Sequence, residues 1–410
     1  MSASLPTLSR RDLLKSAALV PAAAALQSRR HRVVVVGAGA FGGWTALHLR
    51  QRGHEVTLLD AYGPGNSRSS SAGGETRVIR GSYGSRGIYT DMVARSLVLW
   101  REHQARWTVP VLHEIGAMFM SAAVDESQQA SMKALARVGL PFEHLTGREA
   151  KARYPQVNFD GLDSIVLEKQ AGYLSSRTAC QAVAATVERL GGTYRSIAAK
   201  PGPIQKGRLT SVVLTDGTTV DADTFVFACG PWMGKLFPDE IGPRILPARQ
   251  MGLFVGAPSG GEAFQERALP IWIEAGAYYG IPGNDYRGFK IVGGSLSEGF
   301  DPANPWNPDT SERTVPEARM RAPREYLARR FPGLAAAPLL ESFVCQYENS
   351  PDEGLIVDRH PGCDNAWFAG GGSGHGFKFC PAVGELVADL VEEKKPVPAP
   401  FALARFSQAR

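Results

Sequence analysis

The sequence predicts an α/β protein with an α+β insertion, a parallel sheet interrupted by a β-rich segment, and three observations carry that prediction. The β-branched run Val33-Val34-Val35-Val36 is what a parallel strand buried on both faces requires, and it leads directly into Gly37-Ala38-Gly39-Ala40-Phe41-Gly42. The C-terminal end returns to strand and helix, with apolar runs at 355–357 and 366–369, a glycine cluster, and a helix over 383–393. Between these ends, 268–295 alternates short apolar runs with glycines, the pattern of antiparallel strands. At 410 residues the chain is too long for one ordinary core, so two compact domains are expected.

In chain order, residues 1–30 read as a processing segment. Ser9-Arg10-Arg11-Asp12-Leu13-Leu14-Lys15 places an arginine pair ahead of an alanine-rich stretch, 16–26, that is too short to span a bilayer. This is the pattern of a twin-arginine export signal, cut among residues 22–28, and it predicts a periplasmic or secreted protein without stable membrane insertion. After the first strand, a helix is expected over 43–52 and a second strand over 55–59, ending in Asp60. Strand, glycine turn, helix, strand and acid is the order of a Rossmann-like dinucleotide-binding unit. Gly37 permits the tight turn, Gly39 allows the backbone to approach a pyrophosphate, and Gly42 lets helix and strand pack closely. Asp60 lies 18 residues beyond Gly42, near the spacing at which an acid bonds a ribose diol. The motif alone does not separate FAD from NAD.

Further helices are expected over 89–107 and 178–190, the latter ended by Gly191-Gly192. Residues 209–214, the turn Asp216-Gly217 and 219–227 read as a hairpin followed by a buried strand. Residues 302–316 are proline-rich and loop-like, and 317–330 are helical. The domain reading assigns 31–113, 164–230 and 348–395 to the dinucleotide-binding domain. It assigns 114–163 and 231–347 to a β-rich substrate domain, and 396–410 to a tail.

Composition narrows the function classes. Forty-five Lys and Arg against 40 Asp and Glu give a net charge of +5, too slight and too dispersed for a nucleic-acid partner. The five cysteines, Cys180, Cys229, Cys345, Cys363 and Cys380, show no CxxC spacing, and neither they nor the eight histidines suggest a metal. An odd cysteine count in an exported protein leaves at least one thiol that needs an explanation.

Residues 65–100 read GNSRSSSAGGETRVIRGSYGSRGIYTDMVARSLVLW, and 345–385 read CQYENSPDEGLIVDRHPGCDNAWFAGGGSGHGFKFCPAVGE. With the glycine turn, these segments resemble the monomeric sarcosine oxidase and N-methyltryptophan oxidase family, within the D-amino-acid-oxidase-like flavoproteins. The resemblance covers the chain after residue 31, most specifically in ETRVIR and SGHGFK. It implies FAD as cofactor, with Cys345 forming a thioether to the 8α carbon of the flavin. It implies that Arg80 and Lys378 clamp a substrate carboxylate, two fixed cations being a natural solution for an anion held over a ring. Arg77 is implied to stand beside the isoalloxazine, and Lys290 at the place where oxygen is reduced, each acting through positive charge. Tyr279 and Tyr347 are implied to line the substrate pocket. Gly371, Gly372, Ser373, Gly374 and Gly376 would form the loop over the flavin, with His375 structural.

Two positions depart from the sarcosine-type pattern, where histidines stand: here they are Gly73 and Gly294. Both changes put sarcosine itself in doubt and predict a roomier pocket for a larger amine or amino acid. The resemblance implies an oxidase of secondary amines or amino acids bearing a carboxylate, working as a monomer with molecular oxygen and releasing hydrogen peroxide. Two alternatives stand beside it: a dehydrogenase of the same fold delivering electrons to a quinone or other carrier, and a flavin-binding protein without catalysis.

Overall fold

The β-branched run becomes the strand Arg32–Val36, whose four valines are buried, and a six-stranded sheet grows on both sides of it. Its strand order is Ile356–Arg359, Ala366–Gly370, Thr224–Phe227, Arg32–Val36, Glu55–Asp60, Thr193–Ser196. All neighbours are parallel except the first pair. The computed structural model describes residues 30–407 apart from 67, 69–73, 258–260, 285, 286, 299, 300 and 302. The arginine-pair segment, up to residue 29, and Gly73 therefore lie outside the described residues.

The helix Ala40–Gln51 leaves the glycine turn and packs on Ser176–Arg189 and Cys380–Val391, burying Trp44, Leu47 and Leu49. Gly42 makes this packing possible, because a Cβ there would run into the Gly37 carbonyl oxygen and approach the Ala228 side chain at 3.1 Å. Gly37 takes φ +106, and a Cβ there would collide with the Ala228 carbonyl. Gly42→Ala is expected to lower the melting temperature by a few degrees, a loss of roughly 1–3 kcal/mol from overpacking. An unchanged melting curve would show that turn and helix can part without cost.

The insertion is an eight-stranded sheet in the order Leu339–Asn349, Leu246–Val255, Phe289–Glu298, Tyr278–Ile281, Ile271–Glu274, Ala117–Ser121, Ser164–Glu168, Phe142–Leu145. Ser164–Glu168 lies past residue 163 in the chain, yet it pairs into this sheet with both Ala117–Ser121 and Phe142–Leu145. From His31 onward the chain forms one compact unit, so the two sheets are layers of one body. A small third sheet, Thr76–Ile79 with Gly172–Ser175 and Leu112–His113, presents the ETRVIR segment to the cavity between them.

Expected elements recur with shifted ends: helices at Gly87–Gln104 and Ser176–Arg189, and the hairpin at Ser211–Leu214 and Thr219–Asp221. The long strands Leu246–Val255 and Leu339–Asn349 were not legible. Both mix charged and apolar residues without strict alternation, and each is held by ladders on neighbouring strands. The tail docks through buried Phe401 and through the Leu403 amide, which donates to Asp358. No disulfide joins any of the five cysteines.

Candidate active site

A cavity of about 620 Å³ runs from the glycine turn to the inner face of the eight-stranded sheet. That is the size of a small-molecule site. At one end lie Gly37, Gly39 and the N-terminus of the Ala40–Gln51 helix. Gly39 is the N-cap and supplies no side-chain cap, and the first turn carries no acid, so its amides face the cavity as anion donors. Asp60, at the end of the second strand, accepts from the Ala38, Tyr62 and Gly63 amides at 2.7–2.8 Å. Burial raises its pKa and these three bonds oppose the rise. It braces the turn while lining the cavity. Beyond it, Asp309 accepts from the Trp232 indole and the Lys235 ammonium, each at 2.7 Å, and so ties the 302–316 loop to the cavity wall.

At the other end, Cys345, Arg77 and Lys290 come together from three separate stretches of chain. Arg77 donates to the Cys345 sulfur at 3.2 Å. Lys290 lies in a central strand, Phe289–Glu298, and is only 4% exposed. Its ammonium donates to the Gly74 carbonyl at 2.8 Å and to the Thr76 carbonyl and hydroxyl at 3.1 Å, one acceptor for each N–H. Burial first, and then the Arg77 guanidinium, hold its pKa well below the usual lysine value. A strand-edge surface lysine is thereby ruled out: this is a buried lysine beside a sulfur and an arginine.

Lys378 and Arg80 converge on the same cavity. Lys378 is buried in the short turn Phe377–Phe379 and donates to the His375 carbonyl at 2.7 Å and the Tyr83 hydroxyl at 2.9 Å. The His375 Nε2 faces the Glu353 carbonyl at 2.9 Å and so carries the proton, leaving Nδ1 to accept from Tyr83 at 3.3 Å. Burial pushes the His375 pKa down to about 3, so the ring is neutral and this chain of donors has one direction. The Tyr83 oxygen therefore offers its lone pair to Lys378. Two of the three Lys378 N–H groups are engaged by protein, and the third has no partner among the described residues. Arg80 stacks its guanidinium 4.4 Å from the Tyr83 ring centre and bonds the Ser82 carbonyl. Burial, and then Arg80, depress the Lys378 pKa well below its usual value.

Tyr279 and Tyr347 both line the cavity. Gly372, Gly374 and Gly376 line it too; Gly374 takes φ +72 and packs under the Tyr347 ring, and Gly371 and Ser373 also have positive φ. Gly294 does not supply the expected room. It takes φ +48, and the Tyr278 ring, bonded to Ser295 at 3.1 Å, sits where a side chain at 294 would go, 2.5 Å from a Cβ. Sequence reasoning missed Tyr83, Thr76 and Glu348. The first two stand within or beside the ETRVIR segment, and Glu348 directly follows Tyr347 in the CQYE run. Among the described residues no group of acids, histidines and cysteines could hold a metal, and no helix is long and apolar enough to cross a membrane.

Comparison with known proteins agrees with this geometry. The profile of the FAD dependent oxidoreductase family matches residues 32–390. The monomeric sarcosine oxidase of Streptomyces avermitilis is 30% identical over 370 residues, 88% of this chain and 94% of that protein. The N-methyl-L-tryptophan oxidase of Citrobacter koseri is 27% identical, over 92% of this chain and all of that protein. Among solved structures, L-proline dehydrogenase from P. horikoshii superposes with a TM-score of 0.80 at 21% identity, covering 93% of this chain and 99% of that one, a likeness of fold. An uncapped glycine turn at one end of the cavity and a cationic, sulfur-bearing wall at the other, joined by a match over nearly the whole chain, place it in the FAD dependent oxidoreductase family, with the monomeric sarcosine oxidases and N-methyltryptophan oxidases.

Proposed function

We propose that this protein oxidises the C–N bond of a small secondary amine or amino acid carrying a carboxylate, with molecular oxygen as the final oxidant. The observation that carries the proposal is that Arg80, Lys378 and Lys290, three cations from distant parts of the chain, open onto the cavity that begins at the glycine turn. The residues fit FAD: Gly37 and Gly39 line the cavity at the helix N-terminus, and the uncapped helix amides suit a diphosphate. FAD, when bound, supplies the two-electron acceptor for a hydride from the substrate α-carbon.

The chain positions and shields. Arg80 and the free N–H of Lys378 hold the carboxylate, and Tyr279 and Tyr347 wall the α-carbon and its substituents. The amine must be neutral to release a hydride, so a substrate ammonium gives up its proton first. Lys290 and Arg77 keep positive charge where electron density gathers, including on oxygen as it accepts electrons. The sum is amine plus oxygen to imine plus hydrogen peroxide, and water then hydrolyses the released imine. A peroxide assay of the purified yellow protein against N-methylated, cyclic and primary amino acids tests this. Peroxide formed with at least one carboxylate-bearing amine is expected. Turnover that reduces a quinone without peroxide would favour a dehydrogenase.

Cys345 is proposed to bind the flavin 8α carbon as a thioether, the two hydrogens lost being taken up by oxygen as peroxide. Its burial on the cavity wall and its contact with Arg77 support this. After acid precipitation the yellow colour is expected to stay with the polypeptide, and in Cys345→Ser to remain in solution. Colour retained by the serine variant would place the bond elsewhere. Covalent attachment suits a protein exported by the twin-arginine route, which is part of the same proposal, because lost flavin could not be replaced outside the cell.

A further inference from the structure

Glu348 is a buried acid that the proposed reaction does not use. It is 5% exposed, lines the cavity, and accepts from the Gly372 amide at 3.2 Å through one oxygen. Its own backbone amide also bears on the carboxyl, which makes no ion pair with the described residues. Side chains alternate across a strand. Tyr347 turns toward Gly374, while Glu348 turns toward the seam where Gly372, Gly376 and the Phe41 ring meet. Phe41 belongs to the helix that leaves the glycine turn, and Cys345 lies three residues along the same strand, roughly 10 Å away at about 3.3 Å per residue. Glu348 thus stands between the diphosphate end of the cavity and the end reserved for the ring.

We propose that the Glu348 carboxyl holds the ribityl hydroxyls that join the flavin ring to the diphosphate; the proposal rests on the FAD reading given above. A neutral carboxyl both donates and accepts, which matches a polyol, whereas a carboxylate beside a diphosphate would be repelled. The Gly372 amide and the backbone amide of Glu348 favour the anion, but no described cation pairs with it, and burial outweighs both bonds. Its own strand contributes Tyr347 and Cys345, and the glycine loop contributes the neutral His375. Pro247 lies opposite on the neighbouring strand, where Arg249 is taken by Glu298. The first turn of the Ala40–Gln51 helix has no acid, and the Gly230–Trp232 turn has no titratable group. Burial accordingly pushes the Glu348 pKa up to about 7.

The test measures Kd for FAD and for ADP, which shares the diphosphate and lacks the ribityl chain, in a Cys345→Ser background where the flavin exchanges freely. Glu348→Ala is expected to raise Kd for FAD about tenfold, the worth of one or two hydrogen bonds, and to leave Kd for ADP unchanged. Glu348→Gln, a donor and acceptor of the same shape, is expected to keep the FAD affinity near pH 7. It should also abolish the weakening that the parent shows as pH rises above 7. An alanine variant that binds FAD as tightly as the parent would overturn the assignment, as would equal weakening of FAD and ADP. A folded parent that binds ADP yet binds no FAD would instead defeat the cofactor reading.

Discussion

Lys290→Met is expected to slow reoxidation of the reduced enzyme by oxygen about 100- to 1000-fold, while anaerobic reduction by substrate stays within a few fold of the parent. The first electron placed on oxygen creates an anion, and in a cavity shielded from water a fixed cation stabilises it far more than it would in solution. Lys290 is suited to this because its three N–H groups are already held by Gly74 and Thr76, so the charge does not have to be oriented during the reaction. Methionine keeps the length and apolar bulk beside Phe343, which limits the damage to packing. Stopped-flow mixing of reduced protein with oxygen reads the effect. Equal reoxidation rates in parent and variant would remove Lys290 from the oxygen site and leave Arg77 as the nearest cation.

Truncating the clamp should give the second large effect. Arg80→Ala and Lys378→Met are each expected to raise KM about 10- to 100-fold, the worth of a charge-assisted hydrogen bond, with a smaller fall in kcat. The pH profile follows from the depressed Lys378 pKa. A lysine pushed below its usual value loses its charge earlier as pH rises, so carboxylate affinity should fall on the alkaline side. Turnover should rise over the same range, because the substrate amine must be neutral. Their product, kcat/KM, is therefore expected to be bell-shaped, and its alkaline limb should vanish in Lys378→Met. A limb that survives that substitution would belong to another group.

Much of this arrangement could be read from the chain. The Val33–Val36 run and the glycines after it announce their own strand, turn and helix, because buried parallel strands and close helix packing admit few other residues. The cations were legible only through resemblance. Lys290 in GFKI reads in isolation as a strand-edge lysine, and only the tertiary fold shows it flanked by Leu246–Val255 and Tyr278–Ile281 and bonded to the Gly74–Thr76 segment. Gly294 illustrates the opposite failure. A missing side chain suggested space, but Tyr278 from the adjacent strand fills it, a contact that depends on register and leaves no mark in local sequence. The relay from Lys378 through Tyr83 to His375 escaped for the same reason, since almost 300 residues separate Tyr83 from its partners.

A single anaerobic turnover tests the central claim most directly. Purified yellow protein, free of oxygen, is mixed with a carboxylate-bearing secondary amine that supports peroxide formation, and the flavin absorbance is followed before and after air is admitted. Complete bleaching is expected, then full recovery of colour with one hydrogen peroxide per flavin, and both steps should slow when acetate occupies the clamp. Absorbance that no amine in the panel bleaches, in a protein that holds its flavin and keeps its fold, would contradict the account.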